Sequence, residues 1–151
     1  MSLLLTCKED GRVSYPPLLQ GKSPAEYRSY FEATYCRGPI TTFDGIEVRF
    51  RKRDFNHCFF ESVSEKDDTF SHQRAERIQW IKAALQDPHA ELYVGWDNKK
   101  KRLAKDRRVA IVVQSYVVVI RFIGARSAAF VTAFVAEEST LRKIRKGPRC
   151  A

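Results

Sequence analysis

Phosphate chemistry needs cations to hold the charge and a group that moves a proton near neutral pH. A small set of residues in this sequence suits both tasks. The sharpest is Arg74. Between residues 71 and 86, Ile78, Ile81 and Leu85 form one apolar stripe of a helix. At about 100° per residue, Arg74 falls in the middle of that stripe, one turn before Ile78. A guanidinium is not buried alone, because an unpaired buried charge costs several kcal/mol. Arg74 therefore joins an ion pair or snorkels to water, or it opens on a cleft that holds an anion. Arg77 lies on the margin of the stripe beside Phe70 and Ala84, where arginine is commonplace.

Three other residues belong with it. His57 stands between Phe55 and Phe59, and strand spacing would give all three one face. A histidine there is either a satisfied structural residue or a general acid or base, since its pKa lies near working pH. Thr132 would share a face with Phe130 and Phe134 in a strand, as core filler or as a hydroxyl donor to a phosphate oxygen. Tyr116 offers the same choice, a sheet tyrosine or a donor. His72 and His89 read as solvated residues, one at a helix start and one beside Pro88.

The elements that must position these residues follow from local signals. Ser23-Pro24-Ala25-Glu26 is a helix start, with serine as cap, proline in the first turn and an acid at the third position. That helix runs to about Tyr35 and stops before Gly38-Pro39. Residues 1–38 read as an N-terminal arm packed on a main domain of residues 39–151. Residues 45–50 alternate apolar and charged, as a strand with one solvated face does. Ser71 caps a helix that reaches about Gln86 and is ended by Asp87-Pro88. Leu92, Val94 and Trp96 would share one face of the next strand. Residues 109–123 would reach about 50 Å as one strand, so a bulge, bend or tight reversal is expected near Gln114-Ser115. Gly124-Ala125-Arg126 makes the next turn, 128–136 the last strand, and a short basic helix begins at about Glu137. Strands joined by short links pair antiparallel. The expectation is an α+β domain, with helices on one side of an antiparallel meander of about four strands.

The whole is a chain of 151 residues with 27 Lys and Arg against 18 Asp and Glu, a net charge of +9. So basic a domain suggests a polyanionic partner, nucleic acid before membrane. Residues 99–108 read KKKRLAKDRR, seven positive charges and one negative. This run is either a solvated face or a surface that gives affinity without sequence choice. Candidate contacts are Arg51, Lys52, Arg53, Lys99, Lys100, Lys101, Arg102, Arg107 and Arg108. The longest uncharged stretch, 109–120, is too short to cross a bilayer. No secretory signal is evident, so the default location is the cytoplasm. The four cysteines, at 7, 36, 58 and 150, contain no C-x-x-C pair. They read as reduced thiols rather than disulfides. A zinc site drawn from Cys36, Cys58, His57 and His72 would have irregular ligand spacing.

Taken together, HCF at 57–59, FSHQRAERIQWIKAALQDP at 70–88, SYVVVIRF at 115–122, AFVTAF at 129–134 and KIRKGP at 143–148 form a recognisable series. It resembles the phage and mobile-element branch of the barnase–EndoU–colicin–RelE-like nuclease superfamily over roughly residues 40–149. The resemblance implies a helical N-terminal portion before a four-stranded antiparallel sheet. It also implies a metal-independent ribonuclease or toxin, without cofactor, that cuts RNA by attack of the 2′-hydroxyl and leaves a cyclic phosphate. Carried over, the pattern's histidine matches His57, its helix arginines Arg74 and Arg77, and its late-strand threonine Thr132. Such a protein would act on tRNA, mRNA or rRNA, with a protein inhibitor as a further partner. A two-histidine mechanism lacks its second member, so Arg, Lys or Tyr would supply the other proton. The competing readings are a basic module that holds nucleic acid without cutting it, and a component of a phage particle.

Overall fold

The computed structural model describes residues 6–7, 13–97, 102–103 and 107–149. The class is α+β, as expected, but the sheet is larger and mixed. Its six strands are β1 (Ile40–Thr41), β2 (Glu47–Arg49), β3 (Glu91–Val94), β4 (Arg108–Val113), β5 (Tyr116–Phe122) and β6 (Ser127–Val135). Their order across the sheet is β1-β2-β6-β5-β4-β3. The antiparallel meander is present in β3 to β6. Strand β2 then lies parallel to β6, with Ser127 opposite Glu47 and Ala129 opposite Arg49. The long stretch of chain between them allows a parallel pairing that short links forbid.

Among the described residues, five helices accompany the sheet: α1 (Pro24–Tyr35), α2 (Asp54–Phe59), α3 (His72–Ala75), α4 (Ile78–Leu85) and α5 (Glu138–Ile144). They do not all lie on one side. Helices α1 to α4 supply Phe31, Phe59, Ala75 and Ile81 to a core that also takes Val109, Ile111, Val118 and Ile120 from the sheet. Leu141 and Ile144 of α5 pack instead with Ala110, Val112, Val117 and Val119. Residues alternate across a strand, so these two clusters cover opposite faces. Helix α1 is integral to the first core: Tyr27, Phe31 and Tyr35 are buried, and the Phe31 ring meets those of Tyr35, Phe50, Phe55, Phe59 and Phe130.

Local sequence explains most boundaries. Ser23 and Glu26 form the reciprocal cap of α1, and the Ser71 hydroxyl accepts the Arg74 N–H at the start of α3. Gln114, at φ 56°, makes the tight reversal between β4 and β5. Three expectations change. Residues 71–86 are two helices, because the Leu19 N–H takes the Glu76 carbonyl at 2.8 Å and the Trp80 N–H turns to Arg77 at 2.8 Å. Residues 54–59 form a helix, whose Phe55, Cys58 and Phe59 are buried at helical spacing. Leu92, Val94 and Trp96 do not share a face. Gly95, at φ 92°, ends the strand there and sends Trp96 fully into the second core.

A basic cleft at the bulged strand

Two adjoining cavities of about 440 and 560 Å3 share His57, Lys66, Asp67, Arg108 and Val131 and form one cleft. Its floor is the sheet face that α5 covers elsewhere. Val109 and Ile120 enter the first core, so their neighbours Arg108 and Arg121 point to the other face. Register sets Arg108 opposite Arg121, and Arg121 opposite Ala129. One row thus crosses three strands. Asn56 and His57 of α2 line the cleft, as do Lys66 and Asp67 of the following loop.

A bulge in β6 shapes the centre. Val119 pairs with Thr132 but Ile120 with Phe130, which leaves Val131 as an extra residue that re-aims its neighbours. Phe130 therefore enters the first core and Phe134 the second, which corrects the shared face expected for Phe130, Thr132 and Phe134. Val131 and Thr132 both reach the cleft. Thr132 is 6% exposed, beside the buried Cys58 thiol. That thiol donates to the Ala133 carbonyl at 3.5 Å. Burial, the largest cause, pushes its pKa up to about 12.

His57 lies away from the Phe55–Phe59 face. It is exposed on the helix and lines both cavities. The correction matters chemically, since a solvated edge of the cleft suits proton exchange better than an aromatic core. Arg74 has a foot in each of its sequence alternatives. Its Nη1 donates to the Cys58 carbonyl at 3.1 Å, and its Nε stands 3.9 Å from Glu61 Oε1. The carboxylate is no buried partner: Glu61 is 47% exposed, against 22% for Arg74. Arg74 lines the cleft together with His57, Arg108 and Thr132.

Arg77 and Tyr116 are not among the residues lining the cleft. Arg77 Nη1 donates to the Gln73 carbonyl at 2.7 Å and lies 3.3 Å from Glu76 Oε1, with its guanidinium over Trp80. Tyr116 is 2% exposed. Its hydroxyl donates to the Arg77 carbonyl at 3.4 Å, and burial holds its pKa well above the usual phenol value. It is a core tyrosine, away from the cleft.

Of the basic run at 51–53, Arg51 and Arg53 line the cleft and Lys52 does not. Asp54, buried, accepts the Arg51 N–H at 2.8 Å and lies 3.3 Å from its guanidinium. Within 99–108, Arg108 lines both cavities, and Arg107 is exposed outside them. Lys99, Lys100 and Lys101 lie outside the described residues, and Arg102 is on a two-residue strand against Asp97. Sequence reasoning missed Asn56, Lys66, Asp67 and Arg121. Only Arg121 left a signal, as a charge at the end of an otherwise apolar strand.

The cleft gathers six basic side chains, Arg51, Arg53, Lys66, Arg74, Arg108 and Arg121, against the carboxylates of Asp54, Glu61 and Asp67. Asp54 and Glu61 sit beside Arg51 and Arg74. The excess of positive charge in the cleft favours anions. Among the described residues, no three His, Cys, Asp or Glu side chains are grouped to hold a metal ion, and Cys36 and Cys58 are free thiols. No helix among them is long and apolar enough to cross a membrane. No family model, curated protein or solved structure matches the chain.

Proposed function

We propose that this protein is a metal-independent endoribonuclease whose reaction takes place between His57, Arg74 and Thr132. The observation that carries this reading is their convergence. Residues 57, 74 and 132 come from α2, α3 and β6, yet all three line one basic cleft with Arg108. His57 takes the proton of the ribose 2′-hydroxyl as that oxygen attacks the adjacent phosphorus. Arg74 and Arg108 offset the charge that grows on the phosphorane oxygens, and the Thr132 hydroxyl donates to one of them. The bond to the 5′-oxygen breaks, leaving a 2′,3′-cyclic phosphate and a 5′-hydroxyl. With Tyr116 sealed in the core, Lys66 is the cleft residue that returns a proton to the departing oxygen.

RNA is the substrate because the chemistry uses the 2′-hydroxyl. A cytoplasmic site of action is part of the same reading. A toxin or effector role carried by a phage or mobile element, with a protein inhibitor as partner, rests on the resemblance of the motifs alone. The test is cleavage of a mixed RNA pool in EDTA, with the 2′-deoxy polymer as control. Wild type should cut RNA, spare the control and leave cyclic phosphate ends, and His57→Ala and Arg74→Ala should lose about 10²–10⁴ in rate. Salt-sensitive RNA binding with no cleavage by wild type would overturn the catalytic reading in favour of a binding module. Indifference of RNA binding to both variants as well would leave the particle-component reading.

A further inference from the structure

The cleft extends well past the proposed reaction centre. The cavity lined by Arg51, Arg53, Arg108 and Arg121 does not include Arg74 or Thr132, and the cavity lined by Arg74 and Thr132 does not include Arg51, Arg53 or Arg121. They meet at His57 and Arg108. Arg108 and Arg121 are directly opposed on antiparallel strands, where side chains stand about 4.5–5.5 Å apart at Cβ and like charges repel. Among the described residues no carboxylate pairs with Arg53 or Arg121. An arginine pair held in register on a sheet, with a third guanidinium beside it, matches the oxygens of a phosphodiester.

We infer that Arg53 and Arg121 form a second phosphate subsite, which holds the backbone phosphate next to the one cleaved. The ligand is therefore a single-stranded oligoribonucleotide spanning at least two phosphates, and a dinucleotide with one phosphate leaves this subsite empty. The assignment rests on the ribonuclease reading for which phosphate is cleaved. The subsite's affinity for the strand is independent of that reading.

The experiment separates the two. Cleavage of a dinucleoside monophosphate and of a pentanucleotide is compared in wild type, Arg121→Ala, Arg53→Ala and a charge control, Arg37→Ala, at an exposed position outside the cleft. Binding of the pentanucleotide is measured in parallel from 50 to about 200 mM salt, a range in which phosphate contacts register clearly. Arg121→Ala and Arg53→Ala should each raise KM for the pentanucleotide roughly tenfold and leave the dinucleotide unchanged. Each should lower the salt slope of binding by about 0.7, and Arg37→Ala should change neither readout. Equal losses on both substrates, or a salt slope equal to wild type, would overturn the subsite. If wild type cleaves neither substrate yet Arg121→Ala flattens the salt slope, the subsite stands and the ribonuclease reading falls.

Discussion

The guanidinium of Arg74 donates to the backbone carbonyl of Cys58 at 3.1 Å, which ties α3 to the end of α2. The Cys58 side chain continues the link by donating to the Ala133 carbonyl of β6. Three segments distant in sequence are thus joined at the residue that sits beside His57. Arg74 is a structural tie and a lining cation of the cleft at once, and replacing it tests both.

Arg74→Ala removes a charged hydrogen bond from a site that is only partly exposed, and should cost about 1–2 kcal/mol, a fall of several degrees in Tm. Arg74→Lys keeps the charge but not the planar fork. It should recover less than half of the lost Tm and little of the cleavage rate. Calorimetry beside an RNA cleavage assay reads both. A lysine variant with full activity would show that charge alone is needed at this position.

Thr132→Val keeps shape and volume and deletes the hydroxyl at a position 6% exposed. Losing a hydroxyl's hydrogen bonding should change stability by about 1 kcal/mol, while kcat falls roughly tenfold and KM stays near wild type. Thr132→Ser should restore the rate. Urea unfolding and steady-state kinetics distinguish this from simple loss of packing, in which Ser would restore less than Val.

Tyr116→Phe and Arg77→Ala should leave cleavage of RNA within about twofold of wild type. Tyr116 loses one long hydrogen bond, of 3.4 Å, so its stability cost should stay under about 1 kcal/mol. A large loss of rate in Tyr116→Phe, with an unchanged Tm, would bring that hydroxyl back into the mechanism.

The loop that carries Lys66 is pinned by Asp68. Its carboxylate accepts the N–H groups of Val63, Ser64 and Glu65, each at 2.9 Å, and those bonds hold its pKa well below the usual carboxylate range. A depressed folded pKa contributes stability that is complete above the unfolded value of about 3.9 and lost as pH falls below it. Amide exchange of Val63, Ser64 and Glu65 should therefore be slow and insensitive to loop opening from pH 5 to 8. In Asp68→Ala these three amides should exchange faster throughout that range. Equal protection in wild type and variant would show that the loop is held by something else.

Cys58 is fully buried, and its thiol pKa is pushed up to about 12, chiefly by burial. The thiolate is the reactive form, so alkylation at pH 8 should label Cys36, which is partly exposed, well before Cys58. The raised value also means that folding favours the neutral thiol. This contribution is complete below the unfolded pKa of about 8.5 and declines as pH rises above it, toward the folded value. Mass mapping of labelled peptides with and without urea checks the order.

Much of the frame was legible in the residues. The Ser23 cap box, the Ser71 cap, the reversal at Gln114-Ser115 and the α+β class follow from short-range rules that tertiary contact did not overturn. Arg74 stood out because an apolar stripe with a guanidinium in it demands an explanation. The error at His57 was one of period: Phe55, Cys58 and Phe59 fit i, i+3 and i+4, and so short a run reads as strand or helix alike.

By itself, then, the sequence determined that this is a basic domain with an α+β core and an arginine out of place on an apolar stripe, with His57 and Thr132 open to more than one reading. Tertiary structure alone decided which of these meet. A one-residue bulge at Val131 reverses the facing of every later side chain in β6, and so puts Thr132 in the cleft. Cross-strand register sets Arg108 against Arg121, and a parallel pairing of β2 with β6 brings residues 51–57 to the same edge. Bulge, register and long-range pairing are settled by contacts between residues far apart in the chain, and no local pattern of charge or hydropathy encodes them.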